Sequence, residues 1–179
     1  NRYQLTTITG LSEEKLMLNY KSMISYLQSP SRGMLQLPDF SMSEAGMIHF
    51  AEVKHIFLVL YVIVLLFILA FGVFLVTRHH HKDKCILSTF NRGANLTFLT
   101  FGILIFFITI NFSGTFTVFH KLFFNNNYWM FDYRTDPVIL ALPEQLFMII
   151  SIIIIMSLFA ICGYIKYVYY KGKKSLAAR

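Results

Sequence analysis

The run IFLVLYVIVLLFILAFGVFLVT, residues 56–77, decides the fold. It holds no charged side chain, and about 20 apolar residues at about 1.5 Å rise each cross a hydrocarbon layer roughly 30 Å thick. Two further runs qualify in the same way. Residues 94–119 are uncharged and centre on LTFLTFGILIFFITI, and residues 146–165 read LFMIISIIIIMSLFAICGYI. Buried helices of a soluble protein explain one such run, but three in 179 residues leave too little polar chain to cover them. Composition points the same way, with 56 % hydrophobic residues, 14 % charged, Phe 19 and Tyr 10. Disorder, a collagen-like fibre and a cysteine-stapled secreted domain are excluded by those figures. The sequence predicts an all-α multi-pass membrane protein.

The connecting segments set orientation. Arg78, Lys82, Lys84 and Arg92 crowd residues 78–93, and Lys166, Lys171, Lys173, Lys174 and Arg179 fill residues 166–179. Both segments read as cytoplasmic, because short loops rich in Lys and Arg stay inside. Residues 120–145 hold only Lys121 and Arg134 as bases and, with residues 1–55, read as extracytoplasmic. The net charge of +7 is thereby a topology signal and not a nucleic-acid footprint. Nothing in residues 1–55 reads as a signal or anchor, so this orientation implies an additional amino-terminal span. The expected architecture is a four-helix transmembrane bundle with three spans in this chain. Cys85 and Cys162 both fall at or near the cytoplasmic side, which argues against a structural disulfide.

The outer segments are patterned. Residues 11–28 have helical periodicity, with Leu16, Tyr20, Met23 and Leu27 on one face, Ser12 as N-cap and Glu13 and Glu14 in the first turn. Such an amphipathic helix suits the membrane surface or the mouth of the spans. SPSRG (29–33) and Pro38-Asp39 break the chain after it. Ser41 and Glu44 have capping-box spacing and mark the start of a helix running into the first span, although Gly46 weakens its continuity. On that helix His49, Glu52 and Ile56 share a face while His55 is rotated away. In residues 120–145, Tyr128, Trp129, Phe131 and Tyr133 suit the headgroup level. Phe123, Phe124, Val138, Ile139 and Leu140 are too apolar for a free loop, so this segment should fold back and be sheltered by protein.

Two histidines from different segments, His49 and His120, arrive at the outer end of the spans. Imidazole, with an unperturbed pKa of about 6.5, moves protons near neutral pH, and ionisable groups at membrane depth mark function. The ordinary alternative for each is a hydrogen-bonded interfacial anchor. His79, His80 and His81 beside Cys85 suggest a zinc site only weakly, since adjacent histidines point apart and the loop is basic. No nucleotide loop, HExxH or GxSxG is present. With no cysteine on the outer side, an enzyme here uses histidines for direct acid–base work and not for a covalent intermediate.

The segments SEAGMIHFAEVKHIF (43–57) and FHKLFFNNNYWMFDYRTDPVILALPEQLF (119–147), with GLS at 10–12 and the order of the spans, resemble the Lit family of bacterial lipoprotein intramolecular transacylases. The resemblance implies an enzyme of the bacterial cell membrane, its active site extracytoplasmic, found in low-GC Gram-positive bacteria. Its substrates would be lipoproteins whose N-terminal cysteine carries a diacylglyceryl thioether. The sn-2 acyl chain moves from the glycerol to the α-amino group of that cysteine, giving the lyso form, with no cofactor and no metal. The family's two essential histidines fall on His49 and His120. His120 is the expected general base and His49 the oxyanion or leaving-group partner, with the reverse assignment nearly as good. Glu44, Glu52, Asn126, Asn127, Trp129, Asp132 and Asp136 are the expected substrate-binding or orienting residues. Asn127 stands where the family often has Asp, and Tyr133 where it often has Pro.

The chemistry suits these residue types. Amine and ester share one molecule, so orientation replaces capture of a second substrate. The α-ammonium must lose a proton, the oxyanion needs a donor, and the departing glycerol oxygen needs a proton. Two other readings give different outcomes. An acyltransferase fed by phospholipid would place label from phospholipid on the peptide amine. A non-catalytic membrane scaffold or lipid sensor would leave His49 and His120 more than about 10 Å apart, too far for shared proton transfer.

Overall fold

The computed structural model describes residues 4–31, 33–77 and 84–177, with side chains for all of these but 75, 84–86 and 175–177. The histidine run His79–His81, the Cys85 side chain, Arg78 and Lys82 lie outside the described residues. Within them the chain is all-α: α1 (Leu5–Thr9), α2 (Glu13–Gln28), α3 (Glu44–Thr77), α4 (Lys84–Ile110), α5 (Phe112–Phe123), a 3-10 turn (Pro137–Ala141) and α6 (Glu144–Ala177). Three stretches are long and apolar enough to cross a membrane, namely Glu44–Phe74, Leu87–Ile110 and Glu144–Lys174. On α3 every residue from Leu60 to Leu69 is exposed, so an apolar surface runs right round the helix and needs lipid as its solvent.

The chain divides into two compact units, Asn1–Arg78 with Phe119–Pro143, and His79–Val118 with Glu144–Arg179. In the second unit α4 packs antiparallel along α6. Phe98 meets Phe159 with ring centroids 5.0 Å apart, and Lys166 Nζ donates to Asn95 Oδ1 at 2.5 Å. Cys162 is buried as a free thiol. The helical run read as one span over 94–119 is interrupted at Asn111. Its amide oxygen accepts the Gly114 N–H at 2.9 Å and caps α5, while its own N–H still bonds Phe107 O at 3.0 Å. A Cβ on Gly114 would sit 2.7 Å from that amide, so a larger residue there would push the Asn111 side chain aside. Helix α4 also starts within the basic 78–93 segment, and α6 continues through much of 166–179.

In the first unit α2 packs on α3 and α1 packs on the 3-10 turn. Ser12 Oγ accepts the Lys15 N–H at 3.3 Å, the expected N-cap. Leu16 and Asn19 are the buried residues of α2. Asn19 is buried because it reads Asp39, donating to Oδ2 at 2.9 Å and accepting the Asp39 N–H at 3.2 Å. Lys15 completes the joint at 2.9 Å from Asp39 Oδ1, and its hydrogen bond is the main reason that carboxyl lies below the usual range. Tyr20 donates its hydroxyl to the Ala141 carbonyl. Lys54, 5 % exposed, donates to Ser31 O at 2.6 Å and lies 4.1 Å from the Tyr26 ring centroid. These contacts fasten α2, the 29–43 connection and the 3-10 turn around the start of α3.

Candidate active site

The start of α3 is set by three neighbours. Ser43 Oγ accepts the Gly46 N–H at 3.0 Å, so the cap is Ser43 and not the Ser41 suggested by capping-box spacing. Asp136 decides the difference: its Oδ1 accepts the Ser43 N–H at 2.7 Å, and Thr135 Oγ1 donates to its Oδ2 at 2.7 Å. Gly46 does not weaken the helix here. A Cβ at that position would run into the buried Asp136 carboxylate, so glycine is what allows the close approach.

One turn further His49 is 7 % exposed, and at the last turn of α5 His120 is 8 % exposed. Their ring centroids are 5.9 Å apart. That is well inside the roughly 10 Å limit for acting on one reacting group. Aromatic rings enclose the pair. Phe124 meets His49 edge-on at 4.8 Å and Phe131 at 5.6 Å, Phe50 stacks on Phe131 at 5.7 Å, and Trp129 lies 4.8 Å from His120. Such walls exclude water and strengthen the electrostatic contacts inside them.

Polar contacts close a ring through the same residues. Glu52 Oε2 lies 3.9 Å from His49 Nδ1. Asn126 Nδ2 donates to Glu52 Oε1 at 2.7 Å, and Trp129 Nε1 donates to the Asn126 carbonyl at 3.1 Å. Asn126 Oδ1 accepts the Tyr128 N–H at 3.0 Å, which fixes the turn that carries Trp129. Beside Glu52 a groove of about 400 Å³ opens, lined by Glu52, His55, Ile56, Phe123, Asn125 and Asn126.

Of the residues expected from sequence, His49, His120, Glu52, Asn126 and Trp129 come together. Asp132 does not join them. It accepts from Arg134 Nε at 3.0 Å and from Nη2 at 2.5 Å, and that guanidinium holds its carboxyl down to about 2. Asp136 belongs to the α3 joint. Glu44 is exposed at the start of α3, and the exposed Asn127 enters through its carbonyl, which accepts the Met130 N–H at 3.1 Å. Phe123 is exposed, while Phe124 and Val138 are buried as expected. The apolar pattern of the loop gives reason to shelter Phe124, but not to place it and Phe50 against the histidines, since nothing distinguishes Phe50 from its lipid-facing neighbours. Among the described residues no three His, Cys, Asp or Glu side chains group to hold a metal.

A buried histidine pair among aromatic rings at the end of a spanning helix is the arrangement against which relatives can be compared. The sequence profile of the lipoprotein intramolecular transacylase Lit matches residues 1–147. This chain belongs to that family. Solved structures of the membrane-integral Lit from Bacillus cereus, determined in meso, are similar over nearly its whole length. One is 33 % identical with TM-score 0.78, covering 96 % of this chain and 80 % of the other. A variant of that protein with a histidine changed to arginine matches at 32 % identity and TM-score 0.74, covering 98 % and 77 %. A histidine-to-alanine variant matches at 30 % and 0.72, covering 98 % and 78 %. No curated protein sequence matched. As a Lit-family enzyme, the chain is a multi-pass membrane acyltransferase that moves an acyl chain within a lipoprotein molecule.

Proposed function

We propose that His49 and His120 perform this transfer together, on the extracytoplasmic side, moving the sn-2 acyl chain of a diacylglyceryl lipoprotein to the α-amino group of its N-terminal cysteine. The observation that supports this is the pair of buried imidazoles with centroids 5.9 Å apart. The α-ammonium gives a proton to one imidazole of the pair, His120 being the base preferred from sequence. The freed nitrogen attacks the ester carbonyl, and an N–H of the other imidazole supports the oxyanion. The carbon–oxygen bond to the glycerol then breaks, the glycerol oxygen takes a proton from the histidine pair, and the nitrogen gives up its second proton. The net change is ester and ammonium to amide, alcohol and one released proton. The basic segments 78–93 and 166–179 support the outward placement of the site.

Mass spectrometry of lipopeptides from cells expressing His49→Ala or His120→Ala tests the assignment. Lyso-form product should fall at least about a hundredfold in each, the scale of losing one general acid–base group. Normal lyso-form levels in either variant, at matched enzyme abundance, would refute the role of that histidine.

A further inference from the structure

We propose that the Glu52 carboxylate is the seat of the substrate's α-ammonium, reached along the groove between α3 and the 123–126 turn. This rests on the transacylase reading above and adds to it the group that recognises the amine. The other carboxylates of the first unit are already engaged or face water. Asp39 pairs with Lys15 and Asn19, Asp132 with Arg134, and Asp136 with Ser43 and Thr135. Glu13, Glu14 and Glu44 are exposed in the first turns of their helices.

Glu52 differs from all of them. Its side chain is 33 % exposed, and among the described residues no Lys or Arg pairs with it. Lys54, two residues on, is committed to Ser31 and the Tyr26 ring. Glu52 Oε1 accepts a neutral amide from Asn126, and Oε2 has no hydrogen-bond partner among the described residues, as is true of His49 Nδ1 facing it. A carboxylate on a spanning helix, half-withdrawn from water and without a cation, is costly unless a cation arrives. The lipoprotein's α-ammonium is such a cation and brings three donors. The groove has a polar side for the peptide, in His55, Asn125 and Asn126, and an apolar side in Ile56 and Phe123. Transfer turns the ammonium into a neutral amide, so the carboxylate grips substrate and releases product.

The test is binding of two dialkyl-ether lipopeptides, whose chains cannot transfer, to the purified full chain in nanodiscs. One has a free α-amine and the other an N-acetyl group. At pH 6.5 the wild type should bind the free amine about tenfold more tightly, and Glu52→Gln should bind both with the acetyl-form affinity. In the wild type the preference should vanish above pH 9, once an amine of pKa about 8 is neutral. An equal affinity for both peptides in the wild type, a preference persisting at pH 9.5, or an undiminished preference in Glu52→Gln would each overturn the proposal; the first two need no variant to fold. His49→Ala and His120→Ala should keep the preference while inactive. Should they prove active with the preference intact, the catalytic reading fails and the ammonium seat stands.

Discussion

Replacing Asp136 by Asn should loosen the start of α3 and, through it, the position of His49. Asp136 is 3 % exposed, and its two oxygens accept from the Ser43 N–H and the Thr135 hydroxyl, each at 2.7 Å. An amide in its place keeps the shape, its oxygen accepting from the Ser43 N–H and its N–H donating to the Thr135 hydroxyl oxygen, but it removes the charge. A hydrogen bond to a charged acceptor contributes about 1.5–3 kcal/mol against about 0.5–1.5 kcal/mol for a neutral pair, so two such bonds lose about 2–3 kcal/mol, and the lost negative charge at a helix N-terminus adds roughly 0.3–1 kcal/mol. The sum is about 2–4 kcal/mol. For a chain of this length that corresponds to a fall in Tm of roughly 4–16 °C. Thermal unfolding in one detergent, with lipopeptide conversion followed by mass spectrometry at a temperature where both forms are folded, reads stability and activity separately. A Tm within 1 °C of wild type together with full conversion would refute this account of the joint.

Gly46→Ala attacks the same joint from the other side, since its Cβ must displace the buried Asp136 carboxylate; overpacking of this kind costs about 1–3 kcal/mol, and the same unfolding measurement should show it. Asp132→Asn should leave transacylation unchanged between pH 5 and 8, because Asp132 is tied to the exposed Arg134 and not to the histidines. Its folded pKa of about 2 lies below the unfolded value, so the stabilisation is present above the ordinary carboxylate range and is lost only as pH falls through about 2, which acid unfolding of wild type against variant would show. Tyr20→Phe removes the hydroxyl that bonds the Ala141 carbonyl and should cost about 1 kcal/mol in the thermal assay without altering the products formed.

The spans were legible because a membrane demands long uncharged runs, and the α2 cap was legible because Ser12, Glu13 and Glu14 act locally. Other features depend on distant residues and left no local signature. By spacing Ser41, with Glu44 three residues on, is the better cap, and the Asp136 carboxylate, far along the chain, holds Ser43 in that place instead. Gly46 has the local signature of a helix breaker, and the same carboxylate turns it into a contact. Asn111 interrupts an apolar run by a single side chain, too weak a signal against its hydrophobic flanks. His49 and His120 could be singled out as residue types suited to the chemistry. That their rings meet, and that Glu52 and Asn126 join them, follows from packing between segments that periodicity within either one does not specify.

The unbroken helix from Ser43 downward acts as a ruler. Seven residues separate His49 from Ile56, where the apolar run begins, and with the hydrocarbon edge at Ile56 a rise of about 1.5 Å each would put the imidazole roughly 10 Å above it. An ester brought to that height draws the first methylenes of its chain out of the lipid. Wetting each of them costs about 0.8 kcal/mol. The rings of Phe50, Phe124, Phe131 and Trp129 would give those carbons a substitute solvent, the aromatic wall then extending the bilayer upward to the chemistry as a small private patch of oil.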